Sequence, residues 1–134
     1  KTKKATLKVE TYLDENIELN YAFLLSEPRV GTLFKQWEEE PFHERADRLI
    51  ILPQFPQYSE STSASVVDNV SHTFARAVNI PDFEFVSSYH RLKSFIDLSA
   101  KKIQKTLDEH SPDHLVISFH GIPLRRVIQK RDEY

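Results

Sequence analysis

His120 has the setting in this sequence that most favours chemistry. An apolar run of Leu115, Val116, Ile117, Ser118 and Phe119 leads into it, and Gly121, Ile122 and Pro123 follow. Imidazole ligates first-row metals and moves protons near neutral pH. The end of a strand, followed by a glycine and proline turn, is where an open α/β sheet gathers its ligands. A second polar segment stands behind another apolar run: Ile50, Ile51 and Leu52 lead to Pro53, and Gln57, Tyr58, Ser59, Ser61 and Thr62 follow. If the two strands run parallel, this loop and His120 share one sheet edge. The plainer roles for the same residues are a turn histidine bonded to backbone and a set of helix-capping hydroxyls.

The elements that must hold these residues alternate between helix-like and strand-like patterns, which favours an α/β fold. Residues 4–13 read as a weak amphipathic helix. Residues 17–25 alternate Ile17, Leu19, Tyr21 and Phe23 with polar neighbours, as a half-buried strand does. A short helix over 30–40 is entered through Pro28 and Gly31 and closes at Glu38, Glu39 and Glu40. Residues 48–52 form a continuous apolar strand suited to a buried central position. Pro53 and Pro56 stop it and hold the loop extended. The next helix starts near Ser61 or Thr62, whose hydroxyls can cap its free amides. Its apolar face is Val67, Val70, Phe74, Ala77 and Val78.

Ile80 and Pro81 end that helix, and residues 83–86 make the next strand. The clearest helix covers 92–107, with Leu92, Phe95, Ile96, Ala100, Ile103 and Leu107 on one face and Lys101, Lys102 and Lys105 towards solvent. Pro112 separates it from a last strand over 114–119. Four strands with intervening helices predict a Rossmann-like parallel sheet with flanking helices, in a single α/β domain over residues 1–134.

Composition narrows the function. The chain has 134 residues, enough for one core, with 40% hydrophobic and 28% charged residues, ordinary for a globular protein. A formal net charge of −2 provides no basic field for nucleic acid. No stretch approaches the roughly 20 apolar residues of a membrane span, and no leader pattern is present. Without cysteine there is neither a disulfide framework nor a thiolate metal site. The other five histidines show no ligand spacing. His110 and His114 are four apart, but Pro112 breaks any helix that would align them.

Two stretches, taken together and in this order, carry a resemblance. They are Ile50-Ile51-Leu52-Pro53-Gln54-Phe55-Pro56-Gln57-Tyr58-Ser59-Glu60-Ser61-Thr62-Ser63-Ala64-Ser65-Val66 and Ser118-Phe119-His120-Gly121-Ile122-Pro123. The chain resembles the ferrochelatase family over residues 16–134, and is similar to its branch written Ser-(Phe/Tyr)-His-Gly-Ile-Pro. That family inserts ferrous iron into a porphyrin to make haem. The resemblance implies a chelatase-like half-domain, with His120 as iron ligand and proton-abstracting base. With a porphyrin as substrate the loop is expected to face it as a whole, where the Tyr58 ring can pack on the macrocycle and hydroxyls of Ser59, Ser61 and Thr62 can reach propionate oxygens, helped by the amides of the following helix start.

Ferrous iron and porphyrin would then be substrates, with no prosthetic group, in a cytoplasmic enzyme of haem biosynthesis, protoporphyrin being favoured over coproporphyrin. The sequence departs from the family after the histidine. Leu124 stands where glutamine is common, Arg126 where an aromatic is common, and Arg131-Asp132-Glu133-Tyr134 where Gly-Asp-Pro-Tyr is usual. Arg125 and Arg126 can pair with carboxylates or simply be solvated.

Family members are more than twice as long and carry an acting glutamate in their second half. The chain contains no methionine and stops inside a charged segment, which fits part of a longer enzyme. On its own it is expected to be inactive, and to expose a face that can drive a homodimer. Two other readings stand beside this one: a half-domain that holds a tetrapyrrole or metal without turnover, and a chelatase acting on a sirohydrochlorin-type ring, against which the long Pro-Gln-Tyr-Ser loop argues.

Overall fold

The computed structural model of the chain describes residues 9–130. The elements are α1 (Val30–Glu39), a 3-10 turn (Phe42–Glu44), β1 (Arg48–Ile51), α2 (Ser63–Phe74), β2 (Asp82–Phe85), α3 (Lys93–His110) and α4 (Leu124–Lys130). Val9 and Glu10 are helical, whereas residues 4–8 of the helix expected there lie outside the described residues. The Asp82 N–H donates to the Asp47 carbonyl at 3.1 Å and the Val86 N–H to the Ile51 carbonyl at 3.0 Å, so β1 and β2 advance together in one direction. A small parallel sheet with flanking helices is the expected α/β arrangement. No helix among the described residues is long and apolar enough to cross a membrane.

Two of the expected strands do not form. Residues 17–25 and 114–119 are irregular, and among the described residues the sheet holds β1 and β2 alone. A strand exists only as a member of a ladder that satisfies its backbone groups. In the first segment the backbone turns instead, with the Phe23 N–H donating to the Pro28 carbonyl at 2.8 Å. In the second, Val116 is 87% and Phe119 81% exposed. β1 also differs from the buried strand expected, since its residues alternate between exposed and half-buried. Continuous burial requires cover on both faces of a sheet.

The chain forms two compact units, one of Lys1–Leu49 with Val66–Phe83 and the other of Ile50–Ser65 with Glu84–Tyr134. In the first, Phe34, Val70 and Phe74 are buried. The Phe74 ring lies 5.0 Å from that of Phe34 and 5.0 Å from that of Phe83, and Trp37 stacks 5.1 Å from Phe34. Arg45 closes α1: its guanidinium donates to the Glu38 and Glu40 carbonyls and sits 5.3 Å from the Trp37 ring centroid. A cation on the last carbonyls of a helix satisfies groups that have no intrahelical donor. Ala77 and Val78 fall past the end of α2 and do not extend its buried face.

In the second unit α3 is the long helix expected, and it runs on to His110. It ends where Ser111 turns into the left-handed region at φ 41°, its N–H donating to the Leu107 carbonyl at 2.8 Å ahead of Pro112. No residue of α3 is buried, and of its apolar stripe only Phe95 and Leu107 are half-buried.

Candidate functional site

The loop after β1 is short of backbone donors, because Pro53 and Pro56 have none. Hydrogen bonds from side chains and from another segment shape it. Ser59 is 0% exposed, and its Oγ accepts from the Ser61 N–H at 3.2 Å and lies 3.0 Å from the Ser61 Oγ. The Ser59 carbonyl accepts from the N–H groups of Thr62 (3.1 Å) and Ala64 (3.2 Å) and from the Thr62 Oγ1 (3.4 Å). The entry to α2 is therefore organised around Ser59, and the expected cap by Ser61 or Thr62 is replaced by a serine turn. Tyr58 and Thr62 are half-buried. Ser63 is fully buried, with no hydrogen-bond partner for its Oγ among the described residues.

β1 and β2 are parallel, so the chain leaves both at the same edge. There the Pro56 carbonyl accepts two N–H groups, from Tyr89 at 2.9 Å and His90 at 3.1 Å. The Tyr89 ring meets Phe95 of α3 edge-on, with centroids 5.3 Å apart and planes at 83°. Burial pushes the Tyr89 phenol up from its ordinary value. Reading the sequence missed this segment. Its only signal was an aromatic next to a histidine just past a strand.

His120 is exposed and sits in irregular chain before α4 instead of at the end of a strand. A Cβ added at Gly121 would meet nothing within 4 Å, so the surroundings of this turn are open. The turn passes into α4 through the Arg126 N–H, which donates to the Pro123 carbonyl at 2.8 Å. Arg125 is exposed and Arg126 half-buried. Tyr58, Ser59 and Thr62 are gathered in one loop, and none of that loop's hydrogen bonds described above includes His120. No group of three His, Asp or Glu side chains among the described residues could hold a metal ion. The arrangement thus offers one open imidazole and one braced aromatic and hydroxyl loop.

A family model described as Ferrochelatase matches residues 1–134. The chain belongs to the ferrochelatase family. The ferrochelatase of Marinobacter nauticus is 33% identical over 120 residues, covering 89% of this chain and 31% of that protein. The ferrochelatase of Nitrosomonas europaea is 32% identical over 127 residues, 94% of this chain and 34% of that protein. The coproporphyrin III ferrochelatase of Enterococcus faecalis is 32% identical over 111 residues, 83% of this chain and 34% of that protein. This chain spans about a third of the length of these curated relatives. No solved structure matches it. The resemblance carried by the Pro-Gln-Tyr-Ser and His-Gly-Ile-Pro stretches therefore holds for the whole chain.

Proposed function

We propose that this chain supplies part of a ferrochelatase site, where ferrous iron replaces the two pyrrole protons of protoporphyrin in haem biosynthesis. The reaction exchanges one divalent cation for two protons and involves no change of oxidation state. His120 has one imidazole lone pair to offer: it first accepts a pyrrole proton, which the open turn allows it to pass to solvent, and the freed lone pair then ligates the incoming iron. Tyr58 packs on the macrocycle, and the Thr62 hydroxyl, which donates to the Ser59 carbonyl at 3.4 Å, turns from it to a propionate oxygen. Ser59 serves that loop from inside, since its hydroxyl is already engaged with Ser61. Membership of the ferrochelatase family across residues 1–134 is the observation that carries this reading.

A second reading, binding without turnover, is favoured by one feature of the isolated chain. His120 stands without a companion set of acidic or imidazole ligands among the described residues. One ligand can capture an ion, whereas insertion also needs groups opposite it to take the second proton. The chain alone is therefore expected to bind and not to turn over.

The test is a titration of the chain with zinc or ferrous ion and with free-base protoporphyrin, beside His120→Ala. Metal binding that falls at least about tenfold in the variant, with porphyrin binding retained, supports the assignment. Equal metal binding by both proteins removes His120 from the site.

A further inference from the structure

We propose that Tyr89 is a positioning residue, which braces the loop carrying Tyr58 through the backbone of Pro56. The inference rests on the reading of residues 53–62 as the porphyrin-facing loop. Two prolines near its start leave this loop two backbone donors fewer with which to hold itself. Two adjacent N–H groups, of Tyr89 and His90, converge instead on the single Pro56 carbonyl, at 2.9 and 3.1 Å. Tyr58 follows Pro56 by two residues, so the orientation of its backbone is set by that anchor.

Tyr89 is itself tied down in three ways. Its N–H serves Pro56, its carbonyl accepts from the Leu92 N–H at 3.1 Å, and its ring lies edge-on against Phe95 in the first turn of α3. The Leu92 carbonyl in turn accepts from the Ile96 N–H at 3.1 Å, which starts the helix. A connected path therefore runs from α3 through Tyr89 to Pro56 and the loop. Tyr89 acts on the macrocycle only through this path. Its ring supplies the brace and its hydroxyl does not, so phenylalanine should replace it without loss.

The experiment is amide hydrogen exchange on the chain, on Tyr89→Ala and on Tyr89→Phe, paired with fluorescence titration of free-base protoporphyrin. Loss of an aromatic pair contact implies loop amides from Tyr58 to Thr62 exchanging roughly 3- to 10-fold faster in Tyr89→Ala. Amides around Phe74 should be unchanged, porphyrin affinity should fall by a similar factor, and Tyr89→Phe should match the parent. Loop exchange in Tyr89→Ala equal to that of the parent overturns the brace. If Tyr89→Ala loses protection throughout, Phe95→Leu removes the same ring contact more gently and decides by the same loop amides. A parent chain that binds no porphyrin sinks the functional reading of the loop, while the exchange rates still judge the brace.

Discussion

Glu27 illustrates how one exposed carboxylate can organise a helix start. Arg29, at the N-cap of α1, makes no capping bond with its own side chain. The Glu27 carboxylate takes that place, accepting from the Arg29 N–H at 3.0 Å and from the Thr32 Oγ1 at 2.8 Å. The Thr32 hydrogen bond, then that of the Arg29 amide, holds its carboxyl below the ordinary 4.5, with the Arg29 charge adding less. A carboxyl with a lower value folded than unfolded binds fewer protons in the folded state. Its stabilisation is therefore complete above about pH 4.5 and is lost as pH falls through the folded value. Glu27→Gln should lower the thermal midpoint slightly at neutral pH, with the gap closing as the solution is acidified below pH 4.5. Melting curves across that range check this, and a gap undiminished at about pH 3 would show that geometry, not charge, is what Glu27 provides.

At the scale of elements, the aromatic cluster across α1, α2 and β2 stabilises the first unit. Phe74 touches both Phe34 and Phe83 and is 6% exposed. Truncating a buried phenylalanine costs about 3–5 kcal/mol through lost transfer energy and the cavity left behind. Phe74→Ala should therefore lower the urea midpoint by an amount equivalent to about 3 kcal/mol; a loss under about 1 kcal/mol would mean that the cluster is loose in solution. Phe74 was legible in the sequence because it recurs at helical spacing after Val67 and Val70, and helical periodicity is a local property. The same logic located α1 and α3 to within a few residues. Strands are another matter, since their existence depends on a partner. Residues 114–119 have the apolar pattern of a strand as clearly as β1 does, yet only β1 has a neighbour to pair with. The site shows the same division. His120 and the Tyr58 loop were legible from residue type and order, but Tyr89 was not, because its role is a hydrogen bond between segments far apart in the chain.

At the scale of the whole molecule, apolar surface left in water is the decisive quantity. Among the described residues, Leu98 on α3 and Val116, Ile117 and Phe119 ahead of the histidine turn are all exposed. A net charge of −2 offers little repulsion against association. Residues 115–119 hold no charge and no proline, and an unpaired segment of that kind invites strand pairing with another copy. The isolated chain should therefore bind a hydrophobic dye and associate as its concentration rises. Sedimentation velocity over a concentration series gives the association, and Val116→Lys with Phe119→Ser should reduce both signals while leaving the Phe34 and Phe74 cluster folded. A chain that sediments as one monomer throughout, and binds no dye, has covered these residues by its own rearrangement, and the homodimer would then have no surface on which to form.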